Sequence, residues 1–175
     1  MTATPGTLFA LFDTLGIVTR TVRHDAVFTV AESKALRGEI AGGHTKNLFI
    51  KDRKGRLFLI VALESAAINL KTLHHLIDAS GRVSFSQPEE LREVWGVEPG
   101  SVTPFGAIND TVKRVSIVLD QRMMQLEILN FHPLVNTMST AIRSKDLLRF
   151  LDATGHAPLV VELSAIKANP CVEVA

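Results

Sequence analysis

The chain has 175 residues, 46% of them hydrophobic and 21% charged, and its 19 Lys and Arg against 18 Asp and Glu leave a formal charge of +1. That length suits one domain, residues 1–175, with a sizeable core, and the near-neutral balance excludes a polybasic tail or a histone-like coat without excluding a local nucleic-acid groove. No apolar run reaches the roughly 20 residues that cross a bilayer, the first residues lack a secretory pattern, and the lone Cys171 permits neither an intrachain disulfide nor a thiolate cluster, so a cytoplasmic protein away from membranes is expected.

In chain order, Leu8, Phe9, Leu11, Phe12 and Leu15 share a helical face that Gly16 ends, and Ile17–His24 alternates as a strand. Thr29 with Glu32 resembles a capping box opening a helix through Leu36. Lys46–Ile50 and Arg56–Leu63 flank the turn cluster Asp52–Gly55 and predict a hairpin. Leu70, Leu73, Leu76 and Ile77 predict a helix over 69–79. A short strand at Val83–Phe85 follows, then a helix capped by Ser86 and Glu89 and ending near Gly96. Pro99, Gly100, Pro104 and Gly106 punctuate a loop. Strands are predicted at Arg114–Leu119, Leu126–Phe131 and Thr137–Ile142, then a helix from Ser144 to Gly155 and a last strand at Leu159–Leu163. This irregular alternation indicates an α+β fold (mixed α/β) rather than a regular doubly wound one.

The densest polar cluster is Gly42, Gly43, His44, Thr45, Lys46 and Asn47, directly before an apolar strand. The glycines permit close backbone approach, and a lysine at a strand edge can meet a phosphate, a carboxylate or a developing oxyanion. The cluster is not a Walker loop, since it lacks that spacing, and a solvent-facing lysine is the competing reading. His132 precedes Pro133, which stiffens the chain. It suits either the orientation of water or a hydroxyl, or a buried structural role. His74 and His75 are adjacent on their element and form no metal-ligand spacing, so no metal is expected. Asp110 reads equally as a loop anchor, a substrate contact or a turn acid. Met123 and Met124 suit adaptable packing or a pocket wall. None of Ser84, Ser86 and Ser101 sits in a nucleophile elbow.

Three ordered segments together carry a resemblance: Gly42–Phe49 running on through Lys51–Gly55, then Gly100–Gly106 with Asn109 and Asp110, then Asn130–Asn136. They resemble the YbaK/ProX aminoacyl-tRNA editing family over approximately residues 24–163, and within it the freestanding prolyl-tRNA-synthetase-associated branch that clears alanine from tRNA(Pro). The resemblance implies an editing-domain fold with an irregular mixed sheet and surrounding helices. It implies Lys46 as the principal catalytic-site residue, with Asn47 and His132 positioning the ester or terminal nucleotide. It also implies a substrate surface from Gly43, His44, Thr45, Asp110, Asn136 and the loop Gly100, Ser101, Val102, Thr103, Pro104 and Gly106. Phe28, Ile50 and Met124 are candidates for the amino-acid pocket, although core packing accounts for them as well.

On these residues the chain is expected to be a cofactor-free hydrolase that releases alanine from mischarged Ala-tRNA(Pro), gripping the aminoacylated 3' end and contacting prolyl-tRNA synthetase transiently, as a monomer. A deacylase of the same fold acting on Cys-tRNA(Pro) or another mischarged tRNA is the nearest alternative. A noncatalytic nucleic-acid-binding regulator and a structural interaction protein are the remaining readings, and the near-neutral charge disfavours the former.

Overall fold

The computed structural model describes residues 2–25 and 40–164. The capping box at Thr29 and the candidate pocket residue Phe28 lie outside them, as does Cys171. Helix α1 spans Pro5–Thr14, begun by Thr4, whose Oγ accepts from the Thr7 N–H at 3.2 Å, with Pro5 in the first turn. Helix α2, Pro88–Glu90, runs directly into a π-turn, Leu91–Trp95, that Gly96 ends at φ 69°. Helix α3 is Ser144–Ala153.

Among the described residues eight strands form one mixed sheet: β1 Arg20–Arg23, β2 Gly43–Lys51, β3 Leu57–Leu63, β4 Ser84–Phe85, β5 Val115–Asp120, β6 Ile128–Phe131, β7 Met138–Arg143 and β8 Leu159–Val161. Their spatial order is β1-β7-β6-β2-β3-β5-β8, with the short β4 also on β2. The pairs β2–β6, β3–β5 and β5–β8 are parallel, and β2–β3, β6–β7, β1–β7 and β2–β4 are antiparallel.

Strand β3 is an unbroken apolar run because it is covered on both faces. Leu57, Leu59 and Val61 join a core with Phe12 of α1, Trp95, Phe105 and Phe150 of α3, whereas Phe58, Ile60 and Ala62 join a second core with Leu73, Ile77, Val118 and Leu163. In the first core Phe12, Phe105 and Phe150 meet edge to face at 5.2–5.5 Å. The hairpin turn is held by Asp52. Its carboxylate accepts from the Lys54, Arg56 and Ser80 N–H groups and from Arg56 Nε, all at 2.8–3.0 Å.

The helix expected over 69–79 is replaced by turns around one short 3-10 segment, Leu73–His75. Asn69 Oδ1 accepts from the Lys71 N–H at 3.0 Å, a side-chain bond that competes with helix propagation, and Asp78 sits at φ 53°, where a helix cannot continue. The apolar spacing still does its work, since Leu73 and Ile77 are buried. The cap of α2 is also shifted by one residue. Glu90, rather than Glu89, reaches back to the Gln87 N–H at 3.2 Å and takes the Ser86 hydroxyl at 2.6 Å.

Candidate active site

The parallel ladder between β2 and β6 has two rungs, Gly43 opposite Leu129 and His44 opposite Asn130. At the next position the Thr45 hydroxyl donates to the Asn130 carbonyl at 2.8 Å, closing the ladder with a side chain. Beyond it the strands part, since β2 continues along β3 while β6 stays with β7. Lys46 and Asn47 on β2 and His132 just past β6 border this fork. A crevice beyond the carboxyl end of a parallel strand is where open α/β sheets receive ligands.

Lys46 is half-buried opposite Ala62, and its ammonium donates to the Ala66 carbonyl just past the end of β3, which fixes the charge at this end of the sheet. Asn47 leaves the strand on the other face, and its Oδ1 is buried with no partner among the described residues. Asn130 gives its amide N–H to the Ala41 carbonyl at 3.0 Å, and its Oδ1 likewise has no partner among them. Gly42 is required both by its φ of 109° and by crowding, since a Cβ there would lie 2.9 Å from the Ile128 carbonyl oxygen, whereas a Cβ on Gly43 would meet the movable end of the Leu126 side chain at 2.5 Å.

His132 Nδ1 lies 3.0 Å from the Met138 carbonyl and therefore donates to it, which leaves the Nε2 lone pair as an acceptor in the neutral ring. Burial holds its pKa below the ordinary histidine range, nearby His24 lowers it further, and both outweigh the opposing effect of the Met138 carbonyl. The backbone that carries it is tight. Leu134 N–H bonds to the His132 carbonyl at 2.9 Å, and buried Leu134 adopts φ 70°, a strained conformation of the kind found at functional sites.

The structure also recruits a pair that the sequence motifs do not announce. His24 at the end of β1 places its ring 6.3 Å from that of His132. Its Nδ1 donates to the Asp25 carbonyl at 2.8 Å and its Nε2 lies 2.9 Å from Ser139 Oγ, so in the neutral ring the serine hydroxyl donates to Nε2. His24 and Ser139 are far apart in the chain, and only the β1–β7 pairing, Val22 opposite Ser139, joins them.

The 100–106 loop sits beside Asn136: a Cβ on Gly100, at φ 90°, would lie 3.8 Å from its amide nitrogen. Ser101, Thr103, Pro104 and Gly106 are buried, and Val102 is half-buried against the first core. Their contribution is to shape the loop. Trp95 Nε1 donates to the Thr103 carbonyl at 2.7 Å and Gly106 lies flat against the same indole. Asp110 is a turn acid rather than a surface contact, accepting from the Arg114 and Val115 N–H groups at 2.9 and 2.8 Å with His156 Nε2 at 3.2 Å. Ile50 is fully buried in the second core rather than facing an open pocket wall, and half-buried Met124 packs on the first.

The family model of the aminoacyl-tRNA editing domain matches residues 24–150, a span that contains the fork, the loop and His132. The chain belongs to this family. As an editing domain it is an aminoacyl-tRNA deacylase, a hydrolase of the ester between an amino acid and the tRNA 3' end. It is 32% identical over 157 residues to the prolyl-tRNA editing protein ProX of Acetoanaerobium sticklandii, covering 89% of this chain and 95% of that one. It is 34% identical over 149 residues to the prolyl-tRNA synthetase associated domain-containing protein 1 of Danio rerio, covering 84% and 80%. A solved structure described as a candidate trans-editing enzyme for prolyl-tRNA synthetase shares the fold at TM-score 0.70 and 21% identity, over 94% of this chain and 99% of that one. No described helix of this editing domain is long and apolar enough to cross a membrane.

Proposed function

We propose that this editing domain hydrolyses Ala-tRNA(Pro) in trans, releasing alanine and free tRNA(Pro), with the chemistry at the fork between β2 and β6. The observation that carries this reading is that Lys46, its ammonium anchored on the Ala66 carbonyl, and His132, its Nε2 left as an acceptor, each lie two residues beyond the last β2–β6 rung and on the same face. The names of the relatives, a prolyl-tRNA editing protein and a prolyl-tRNA synthetase associated protein, support tRNA(Pro) as the carrier.

Water attacks the ester carbonyl and gives up a proton, negative charge develops on the carbonyl oxygen, and as that tetrahedral centre collapses the carbon–oxygen bond to the ribose breaks and the leaving ribose oxygen takes up the proton the water released. Lys46 donates toward the developing oxyanion, with its position fixed beforehand by the Ala66 carbonyl. His132 Nε2 accepts from the neighbouring ribose hydroxyl and sets the orientation of ester and water. Asn47, whose side chain leaves β2 on the face opposite Lys46, acts as a positioning residue for the strand at the fork rather than as a contact to the ester. The Gly100 turn, next to Asn136, brackets the terminal nucleotide. Alanine is distinguished from larger residues by steric exclusion, at roughly 1–3 kcal/mol for each methylene. The enzyme acts as a monomer with transient contact to prolyl-tRNA synthetase.

Amino-acid release from Ala-, Cys- and Pro-tRNA(Pro), each corrected for spontaneous ester loss, tests the substrate. Faster release from Ala-tRNA(Pro) than from the other two is expected. Faster release from Cys-tRNA(Pro) moves the assignment to that substrate, and no acceleration on any of them defeats it.

A further inference from the structure

A second feature lies outside the fork. On the same face of the sheet, toward the β1 edge, is a groove of about 670 Å³. The register defines that face. Arg20 is opposite Ala141, Ala141 is opposite Asn130, and Arg143 is opposite Ile128, so these side chains leave the sheet together, and His132 lies two residues beyond Asn130. Ile128 and Ala141 form part of an apolar floor, and Val18, 83% exposed, stands at the lip.

Among the described residues four cations line the groove: Arg20, Arg143, Lys145 and Arg149. Its single carboxylate among the described residues, Asp146, is buried and neutralised by Arg149 at 2.8 Å, and Arg149 also donates to the Leu15 carbonyl at 2.6 Å. Arg20, Arg143 and Lys145 are exposed, so the described residues give the groove net positive charge over an apolar base. Arg143 is the N-cap of α3 and forms no side-chain cap bond, which adds the partial positive charge of a ten-residue helix at the same lip.

We infer that this groove binds the phosphate backbone of the tRNA strand leading to the aminoacylated end, with Arg20, Arg143 and Lys145 as the phosphate contacts. The inference rests on the proposed function and adds the surface that holds the nucleic acid. Spacing supports it. Ile128 in the groove and His132 at the fork are four residues apart, about 13 Å along an extended strand, a distance that a stacked nucleic-acid strand spans in about four nucleotides at 3.4 Å each. Phosphates just upstream of the 3' end therefore fall on the cationic rim while the ester sits at the fork. Cations above an apolar floor suit a strand whose phosphates and sugar and base surfaces are both in reach.

The test is a titration of the full chain with uncharged tRNA(Pro) across a range of salt, comparing wild type with the combined Arg20→Ala, Arg143→Ala and Lys145→Ala variant and with Arg82→Ala, an exposed cation outside the groove. Removing three contacts lowers the slope of log affinity against log salt by about 2 and weakens binding about 10- to 100-fold near 0.1 M salt, and Arg82→Ala leaves both in place. Release from Ala-tRNA(Pro) also falls at least tenfold more in the combined variant than release from alanyl-adenosine, which has no upstream phosphates. A slope equal to wild type, an equal effect of Arg82→Ala, or equal losses on the two esters overturns the groove. Because the titration uses uncharged tRNA, it stands apart from the substrate assignment, whose failure shows as wild type releasing no alanine.

Discussion

Gly106→Ala probes how the buried framework shapes the 100–106 loop. A Cβ there would lie 2.2, 2.3 and 2.6 Å from Nε1, Cδ1 and Cε2 of Trp95, where ordinary contacts begin near 3.4 Å. The indole cannot retreat. It is fully buried, 6.0 Å from the Phe49 ring and 6.1 Å from that of His156, and its N–H is committed to the Thr103 carbonyl. Overpacking costs about 1–3 kcal/mol, and pulling the indole off Thr103 leaves buried polar groups unmatched at about 1–3 kcal/mol more. A total loss of about 2–6 kcal/mol follows, together with a displaced 100–106 loop. Trp95 is the sole tryptophan, so its emission reports its own environment during urea unfolding. The variant should unfold at lower urea with red-shifted native emission, and its release of alanine should fall. An unchanged midpoint and an unchanged emission maximum would refute the packing argument.

Other consequences follow from the charged groups. Because burial holds His132 neutral, the acid limb of kcat/KM for Ala-tRNA(Pro) should lie below about pH 6.5. His24→Gln removes a charge that disfavours protonation of His132 and should move that limb upward, and a limb that stays in place contradicts the coupling. For Asp52, burial alone would raise the pKa, but the bonds from Ser80, Arg56 and Lys54 outweigh it and hold the carboxyl at about 2. Hydrogen bonds from Lys51, Ser86 and Gln87 hold Glu90 at about 2 as well. Both pKa values are depressed on folding, so their stabilisation is present above the ordinary carboxylate range and lost as pH falls toward 2. Asp52→Asn should flatten the fall in melting temperature with acid, and an unaltered slope would contradict this. Asp110→Ala leaves the Arg114 and Val115 N–H groups unmatched at the start of β5 and should cost about 1–3 kcal/mol in urea unfolding.

Much of the fold is legible in the residues because local chemistry and burial agree. The Asp52–Gly55 turn between two apolar runs specifies the β2–β3 hairpin, and the pattern around Ser144 specifies α3. Residues 69–79 mislead because a helical spacing of leucines also serves a chain of turns covering one core, and the Asn69 side-chain bond and the backbone of Asp78 decide the matter. At the fork, Lys46 and His132 are visible as motif residues, yet their proximity depends on a two-rung parallel ladder between strands more than 70 residues apart in sequence. No local pattern encodes the His24–Ser139 contact or the alignment of Arg20 with Ala141, since strand register across the β1 edge creates both. Ile50 and Asp110 show the converse. Neighbouring motifs draw attention to them, and burial assigns them to the core and to a turn.

The most direct test of the account is the rate of alanine release from Ala-tRNA(Pro) by wild type, Lys46→Ala and Lys46→Arg, at saturating enzyme. Loss of an oxyanion donor predicts a fall of about 10²–10³-fold for Lys46→Ala. Partial activity is expected for Lys46→Arg, whose planar guanidinium keeps the charge and changes its geometry. Wild-type rates in Lys46→Ala, with the fold intact, would contradict the placement of the chemistry at the β2–β6 fork.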